Sequence, residues 1–340
     1  MKRYGNLWGQ ITHLDNIKAA HQQARRGKAY YTEVKMVDAD IDKYAKEIQQ
    51  LLLDKTFNTS KYETEQRHDG RKIRTIYKLP YYPDRIVQHA LLNVVGPILT
   101  RTFIRDTFQS IVGRGTSDAM RRVKEFVRSE QCPPYALKID VQKYYPSVEN
   151  NILKNLVRKK IKCEETLWLM VNIIDSMKGL PIGNYTSQHL GNLYLNDFDW
   201  WIKQTIKPRA YFRYCDDMVV FDESKEKLQL IKVQMESELS KLQLKIKSNW
   251  QIYDIKRDGI DFVGYVFRPE RTKLRSSIAK NFRVVCKKLQ EISLQSINEK
   301  HRSTLMSYKG WVKPANAKLL WRTHTKALIG MFPKQLRGAI

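Results

Sequence analysis

Two adjacent aspartates inside an apolar run constrain this chain more than any other feature. Asp216 and Asp217 follow Tyr211-Phe212-Arg213-Tyr214-Cys215 and precede Met218-Val219-Val220-Phe221. β-Branched and aromatic residues dominate both flanks, so each flank predicts a strand. The acidic pair between them predicts the turn of a tight hairpin. Adjacent ionised carboxylates repel each other, and a short apolar hairpin has no structural use for them. A divalent cation removes the repulsion, and hard oxygen ligands suit Mg²⁺. Taken alone, the pair also fits a surface turn, where Asp is common.

A second stretch bears on that choice. Leu137-Lys138-Ile139-Asp140-Val141 predicts a short strand ending in a carboxylate, followed by Gln142-Lys143-Tyr144-Tyr145-Pro146. Two strands from distant parts of the chain, each delivering an acid at its end, can hold two metal ions about 3.5–4 Å apart. Such a pair activates a 3′-hydroxyl and stabilises the leaving pyrophosphate. Asp140 with Tyr145, then Tyr214-Cys215-Asp216-Asp217, resembles the palm motifs of reverse transcriptases in order, spacing and intervening residues. The resemblance implies a right-hand polymerase of the α/β (α+β) class, with fingers, palm and helical thumb. It implies catalytic acids Asp140, Asp216 and Asp217. It also implies two Mg²⁺ ions, with Mn²⁺ as a substitute, on Asp140, Asp216, Asp217 and the Val141 carbonyl.

The composition agrees. The 340 residues exceed the usual size of one domain, so two or three lobes are expected. The net charge of +26, from 61 basic and 35 acidic residues, favours a polyanionic partner. A membrane partner is not expected, because no apolar run reaches the length of a span. The most apolar stretch, Ile86 to Leu99, is broken by Gln88, His89 and Asn93. No signal peptide is read at Met1-Lys2-Arg3-Tyr4-Gly5. Cys132, Cys163, Cys215 and Cys286 form no CxxC pair and read as reduced thiols, which suits a cytoplasmic protein.

Residues 1–60 read as helical, with Ile41, Tyr44, Ile48, Leu51 and Leu52 at helical spacing. Lys18, Arg25, Arg26 and Lys28 fit a solvated basic face or a nucleic-acid contact. Asp69-Gly70 between strand-like runs predicts a hairpin carrying Arg71, Lys72 and Arg74. Arg74-Thr75-Ile76, with Pro80 and Asp84 to Leu91, resembles the first block of retroelement reverse transcriptases, which implies a nucleotide-phosphate contact at Arg74. Phe108 to Ser117 encloses Gly113-Arg114-Gly115 and resembles the second fingers block. Arg114 is then a nucleotide or template contact, and Ser117 a helix cap. Tyr145, five residues after Asp140, occupies the place where the family sets a bulky side chain beneath the sugar. The expected lobes are fingers at 1–130, palm at 131–267 (interleaved with fingers near 150–185) and thumb at 268–340.

Gly179 to Gln188 opens another block, and Gly183 is expected to let the backbone approach a base pair. Most reverse transcriptases have Gln-Gly and Ser-Pro in this block; this chain has Ile182-Gly183 and Ser187-Gln188. That double departure resembles the reverse transcriptases of diversity-generating retroelements. It makes Ile182, Gly183 and Gln188 nucleotide-site residues. Many relatives have Lys at the place of Trp250, so no proton donor to pyrophosphate is assigned. Lys245 and Lys247 read as solvated. Phe262-Val263-Gly264-Tyr265 resembles the primer grip. Residues 271–340 hold 16 basic and 2 acidic residues, and Lys280, Arg283, Lys287 and Lys288 are expected to neutralise duplex phosphates. Trp311 and Trp321 read as core residues.

The resemblance implies mutagenic retrohoming. A template-repeat RNA is copied from dNTPs into an RNA/cDNA duplex with errors at adenines. A small basic accessory variability protein assists, in a bacterial or phage-encoded system. Competing readings are an intron, retron or phage-defence reverse transcriptase, and an RNA scaffold with a degenerate palm.

Overall fold

The computed structural model describes residues 3–69, 72–293 and 296–332. Gly70 and Arg71, at the tip of the expected basic hairpin, lie outside the described residues, as do the side chains of Asp69 and Lys72. The chain divides into two compact units, each assembled from separated segments. One comprises Met1–Gly115, Asp140–Lys207 and Ile231–Asn249; the other comprises Thr116–Ile139, Pro208–Leu230 and Trp250–Ile340.

The first unit is mainly helical. Its helix Ile86–Thr100 is buried along most of its length. A helix surrounded by others is apolar all round rather than on one stripe. The polar residues that interrupt its sequence pin it to neighbours. Gln88 Oε1 accepts from the backbone N–H of Tyr185 at 3.0 Å and of Thr186 at 3.4 Å. It thereby satisfies orphan donors of helix Tyr185–Tyr194, whose preceding Asn184 makes no side-chain cap. Asn93 donates to Asn16 at 2.9 Å, and the His89 ring stacks on Tyr185 with centroids 3.7 Å apart. Helix Ile41–Leu53 buries Ala45, Ile48 and Leu52. Its N-cap is Asp40, which accepts from Lys43 N–H at 3.1 Å. The expected hairpin is present: β1 (Glu63–Asp69) and β2 (Lys72–Lys78) pair antiparallel, with Arg67 opposite Arg74.

The second unit holds two sheets and a helical cluster. Strands β3 (Tyr135–Asp140), β4 (Ala210–Tyr214), β5 (Asp217–Asp222) and β6 (Gln251–Asp254) lie side by side in the order β4-β5-β3-β6. Asp140, the last residue of β3, groups with the first unit. Met218 to Asp222 are all buried, so β5 has no polar alternation and reads as an unbroken apolar run. Phe126, on helix Thr116–Arg128, packs against Phe212 and Phe221 at 5.8 and 5.0 Å. That helix begins at Thr116, so Ser117 lies inside its first turn and is not the cap. Strands β7 (Ile260–Phe262), β8 (Tyr265–Phe267) and β9 (Thr272–Leu274) form an antiparallel sheet.

Helices Ser276–Gln290, Glu299–Val312 and Lys318–Met331 then enclose a core of Phe282, Cys286, Leu289, Leu305 and Leu328. Trp321 stacks on Phe282 with centroids 5.6 Å apart, as a core residue does. All four cysteines are unbridged, and burial pushes the Cys286 thiol up to about 11, leaving it protonated and inert. Among the described residues no helix is long and apolar enough to cross a membrane.

Candidate active site

The β4–β5 hairpin sets Tyr214 opposite Asp217. Its turn is therefore Cys215-Asp216, and Asp217 opens the return strand. This moves the turn one residue toward the N-terminus from the expected Asp216-Asp217. Cys215 has a left-handed backbone, φ +57°, as the first position of a primed two-residue turn requires. A residue with a Cβ adopts that shape only when its surroundings hold it. Arg213 contributes to the hold: its side chain is wholly buried, and Nη1 donates to the Cys215 carbonyl at 2.9 Å. The Tyr214 hydroxyl lies 3.0 Å from that of Thr116, the first residue of helix Thr116–Arg128.

Lysines sit on two of the three acids. In the second unit, Lys138 Nζ lies 3.4 Å from Asp217 Oδ2 and donates to the Asp261 carbonyl at 2.6 Å. The Asp261 carboxylate accepts from Arg275 Nε at 2.8 and 2.9 Å. Arg275 N–H donates to the Gly264 carbonyl at 2.9 Å. A chain of charges thus runs from Asp217 to the turn between β7 and β8. In the first unit, Lys247 Nζ lies 2.5 Å from Asp140 Oδ1, and Lys247 N–H donates to the Asp140 carbonyl at 2.9 Å. Val141 bridges antiparallel to Ile246. Lys247 was expected in solvent; the edge pairing places it on Asp140 instead. Lys138 was absent from the expected site. Its signal was available, because residues two apart on a strand share a face, and Lys138 precedes Asp140 by two.

Among the described residues, no three His, Cys, Asp or Glu side chains already converge as a metal cage. Asp140, Asp216, Asp217 and the Val141 carbonyl are nevertheless all hard oxygen donors. Two of them already recruit an ammonium group. That donor chemistry fits a divalent cation such as Mg²⁺.

A cavity of about 360 Å³ in the first unit gathers most of the expected nucleotide residues. Arg74, Tyr145, Ile182, Gly183 and Gln188 line it, with Arg85, Gln109, Pro181, Asn184, Tyr185 and Ser187. Two guanidinium groups and no carboxylate face it, which suits an anion. The Ile182 carbonyl accepts from Tyr77 N–H at 2.7 Å, tying this wall to β2. Gly183 has φ +127°, and a Cβ there would lie 2.4 Å from the Tyr77 carbonyl. The close approach that requires glycine is thus to β2. Gln188 accepts a short hydrogen bond from Ser110 Oγ. The Gly191 carbonyl accepts from Tyr144 OH at 2.5 Å.

Arg114 does not line this cavity. Its Nη1 donates to the Ile104 carbonyl at 3.0 Å, and its own carbonyl accepts from Gln109 N–H at 2.9 Å. It braces the loop that carries Gln109. Sequence reasoning missed Arg85, although it is the residue immediately before the buried helix Ile86–Thr100.

In the expected primer grip, Phe262 and Tyr265 are buried. Tyr265 OH donates to the Trp311 carbonyl at 3.1 Å. Gly264 has φ +90°, and a Cβ there would meet the Trp311 ring at 2.5 Å. Trp311 is therefore a packing residue, and Val263-Gly264 form the turn itself. Lys280, Arg283, Lys287 and Lys288 are exposed on helix Ser276–Gln290.

Residues 66–267 match the family model described as reverse transcriptase (RNA-dependent DNA polymerase). Protein YkfC of Escherichia coli (strain K12) is 26% identical over 139 residues, covering 37% of this chain and 36% of that protein. Among solved structures, apo telomerase from Candida tropicalis is similar with a TM-score of 0.51 at 12% identity, covering 80% of this chain and 60% of that one. Telomerase from Candida albicans, in complex with a TWJ fragment of telomeric RNA, also has a TM-score of 0.51, at 10% identity, covering 87% and 62%. The chain spans about a third of the curated relative's length and about three fifths of the two telomerase chains. The structural likenesses show the fold, a mixed α/β polymerase fold. With more than half of its residues matched by the family model, the chain belongs to the reverse transcriptase family.

Proposed function

We propose that this protein is an RNA-directed DNA polymerase and that it serves a diversity-generating retroelement. The observation that carries the polymerase reading is the acid-free cavity that joins two arginines with Tyr145 and Ile182-Gly183. Arg74 holds the charge of a nucleoside triphosphate. The Tyr145 ring lies beneath the sugar and disfavours a 2′-hydroxyl. Gln188, fixed by Ser110, and Ile182 face the base. Asp140, Asp216, Asp217 and the Val141 carbonyl would hold Mg²⁺, which when bound offsets phosphate charge and makes the 3′-hydroxyl a better nucleophile. In this reading residues 1–130 act as fingers, 131–267 as palm and 268–340 as thumb. The Val263-Gly264 turn places the primer end. Primer extension on an RNA template, with and without Mg²⁺, tests the activity; no extension in either condition refutes it.

The retroelement reading rests on Ile182 and Gln188, where most of the family carries Gln and Pro. Its RNA is a template repeat, its helper a small basic protein, and its setting the cytoplasm of a bacterium. Gln offers an acceptor and donors that fix neighbouring groups, whereas Ile offers bulk on a stiff branched stem. Ile182→Gln is expected to lower errors opposite template adenine by about tenfold, since only about 1.4 kcal/mol separates a tenfold difference. Sequencing cDNA copied from one adenine-rich RNA by both proteins reads this directly. Equal adenine error rates would clear Ile182 of the infidelity. Accurate copying of adenine by the wild type, with its own RNA and helper present, would refute the retroelement reading.

Replacing Lys280, Arg283, Lys287 and Lys288 together by Gln is expected to weaken binding to a template–primer duplex. Each lost phosphate contact flattens the plot of log affinity against log salt by about 0.7–0.9. An unchanged slope would remove this helix from the duplex interface.

A further inference from the structure

The loop between helices Leu14–Ala24 and Thr32–Ala39 is unused in the function above. It carries Arg25, Arg26, Lys28, Tyr30 and Tyr31. Tyr30 and Tyr31 stand in solvent, 72% and 42% exposed, with rings edge to face at 4.7 Å. The loop is held by its backbone. Lys28 N–H donates to the Arg25 carbonyl at 2.8 Å and Tyr31 N–H to the Lys28 carbonyl at 2.9 Å, around Gly27 at φ +70°. The two rings are therefore presented on an ordered turn without serving the core.

Lys28 is half-buried, and its ammonium is held below the usual lysine range by burial and by the Arg85 guanidinium. The nearby carboxylates are engaged elsewhere. Asp38 holds His21 and Arg25, each at 2.8 Å, and Glu33 accepts from Tyr81 N–H at 3.0 Å. Among the described residues the Arg85 guanidinium has no hydrogen-bond or ion-pair partner. Two half-buried cations that oppose each other are unfavourable in the free protein, and a phosphate between them removes the opposition. Arg85 also lines the nucleotide cavity, so the loop and the cavity share one cation.

We propose that Tyr30, Tyr31, Lys28 and Arg85 form a binding surface for single-stranded nucleic acid, which leads the unpaired template strand toward the cavity. The tyrosines stack bases and the two cations hold phosphates. Stacking of this kind tolerates any sequence, because every base has a π-face. A duplex is a poor occupant, since its base faces are already covered. The identity of the strand as a template rests on the polymerase reading; the surface itself does not.

The test uses the full chain, a labelled single-stranded RNA of about 12 nucleotides and a blunt RNA–DNA duplex of the same length. Fluorescence anisotropy gives both affinities. Replacing Tyr30 and Tyr31 together by Ala is expected to weaken single-strand binding about tenfold, or about 1.4 kcal/mol. Duplex binding should stay within about twofold. Replacing both by Phe keeps the rings and should keep the affinity. Lys28→Met should flatten the single-strand salt dependence by about one phosphate contact. Unchanged single-strand affinity in the Ala pair, an equal loss on duplex, or an equal loss in the Phe pair would overturn the proposal. Primer extension separates the two readings. Single-strand binding through Tyr30 and Tyr31 in a wild type that extends no primer would refute the polymerase and leave this surface standing.

Discussion

Asp216→Ala is expected to reduce nucleotide incorporation by about a thousandfold or more while leaving RNA affinity within about twofold. Asp216 occupies the second position of the Cys215-Asp216 turn, presented by the φ +57° backbone of Cys215 and braced through the buried Arg213. In the proposed reading its carboxylate would hold a cation against the reacting phosphates, and loss of such a stabiliser costs several kcal/mol of transition-state binding. In the same reading affinity for RNA comes from basic side chains elsewhere, above all in the last 70 residues, with their 16 basic and 2 acidic groups. Single-nucleotide extension and filter binding on one protein preparation measure both quantities. Extension at the wild-type rate would remove Asp216 from the chemistry. A parallel collapse of RNA binding would make its role structural.

Gly183→Ala should be the most damaging small substitution in the cavity wall. The residue has φ +127°, and the added Cβ would sit 2.4 Å from the Tyr77 carbonyl. Strain at such a backbone costs about 1–3 kcal/mol by itself, and the obstructing atom is backbone, which cannot rotate away. The bond from Tyr77 N–H to the Ile182 carbonyl must then lengthen, displacing β2 and its Arg74 from the cavity. The expected result is a melting temperature lower by several degrees, in line with a loss of about 2–4 kcal/mol, and at least a tenfold rise in KM for dNTPs. Gly113→Ala is the control, because it has φ +77° but no atom within 4 Å of the added Cβ. Equal losses in the two variants would show that the approach to Tyr77 is not what Gly183 protects.

Much of the molecule was legible in the sequence because its signals are local. β-Branched and aromatic runs around Asp216-Asp217 defined β4 and β5, and the same logic placed Asp140 at the end of β3. Asp69-Gly70 marked the hairpin of β1 and β2. Five of the six expected nucleotide residues line one cavity, since the short motifs that carry them are packed together by neighbouring elements. Arg114 was the exception: it lies outside that lining, and its guanidinium donates to the Ile104 carbonyl. The hairpin turn was misplaced by one residue, because alternation predicts strands but not register, and Tyr214 opposite Asp217 is fixed by cross-strand pairing.

The tertiary structure alone decided which charges meet. Nothing local relates Lys247 to Asp140 or Arg275 to Asp261, and a lysine in solvent has the same sequence signature as one seated on a carboxylate. Gln88, His89 and Asn93 looked like interruptions of an apolar helix. They proved to be its fastenings, because a buried polar group persists where a partner from a distant segment satisfies it. Arg213 lay unnoticed in an apolar strand until its burial and its bond to Cys215 gave it a purpose. The sequence by itself determined the family, the strand-end acids and the basic surfaces, all of which follow from residue type and short spacing. Contacts across long sequence separations, which leave no periodic trace, decided which lysines meet Asp140 and Asp217, why Gly183 has no side chain and that Arg85 lines the cavity.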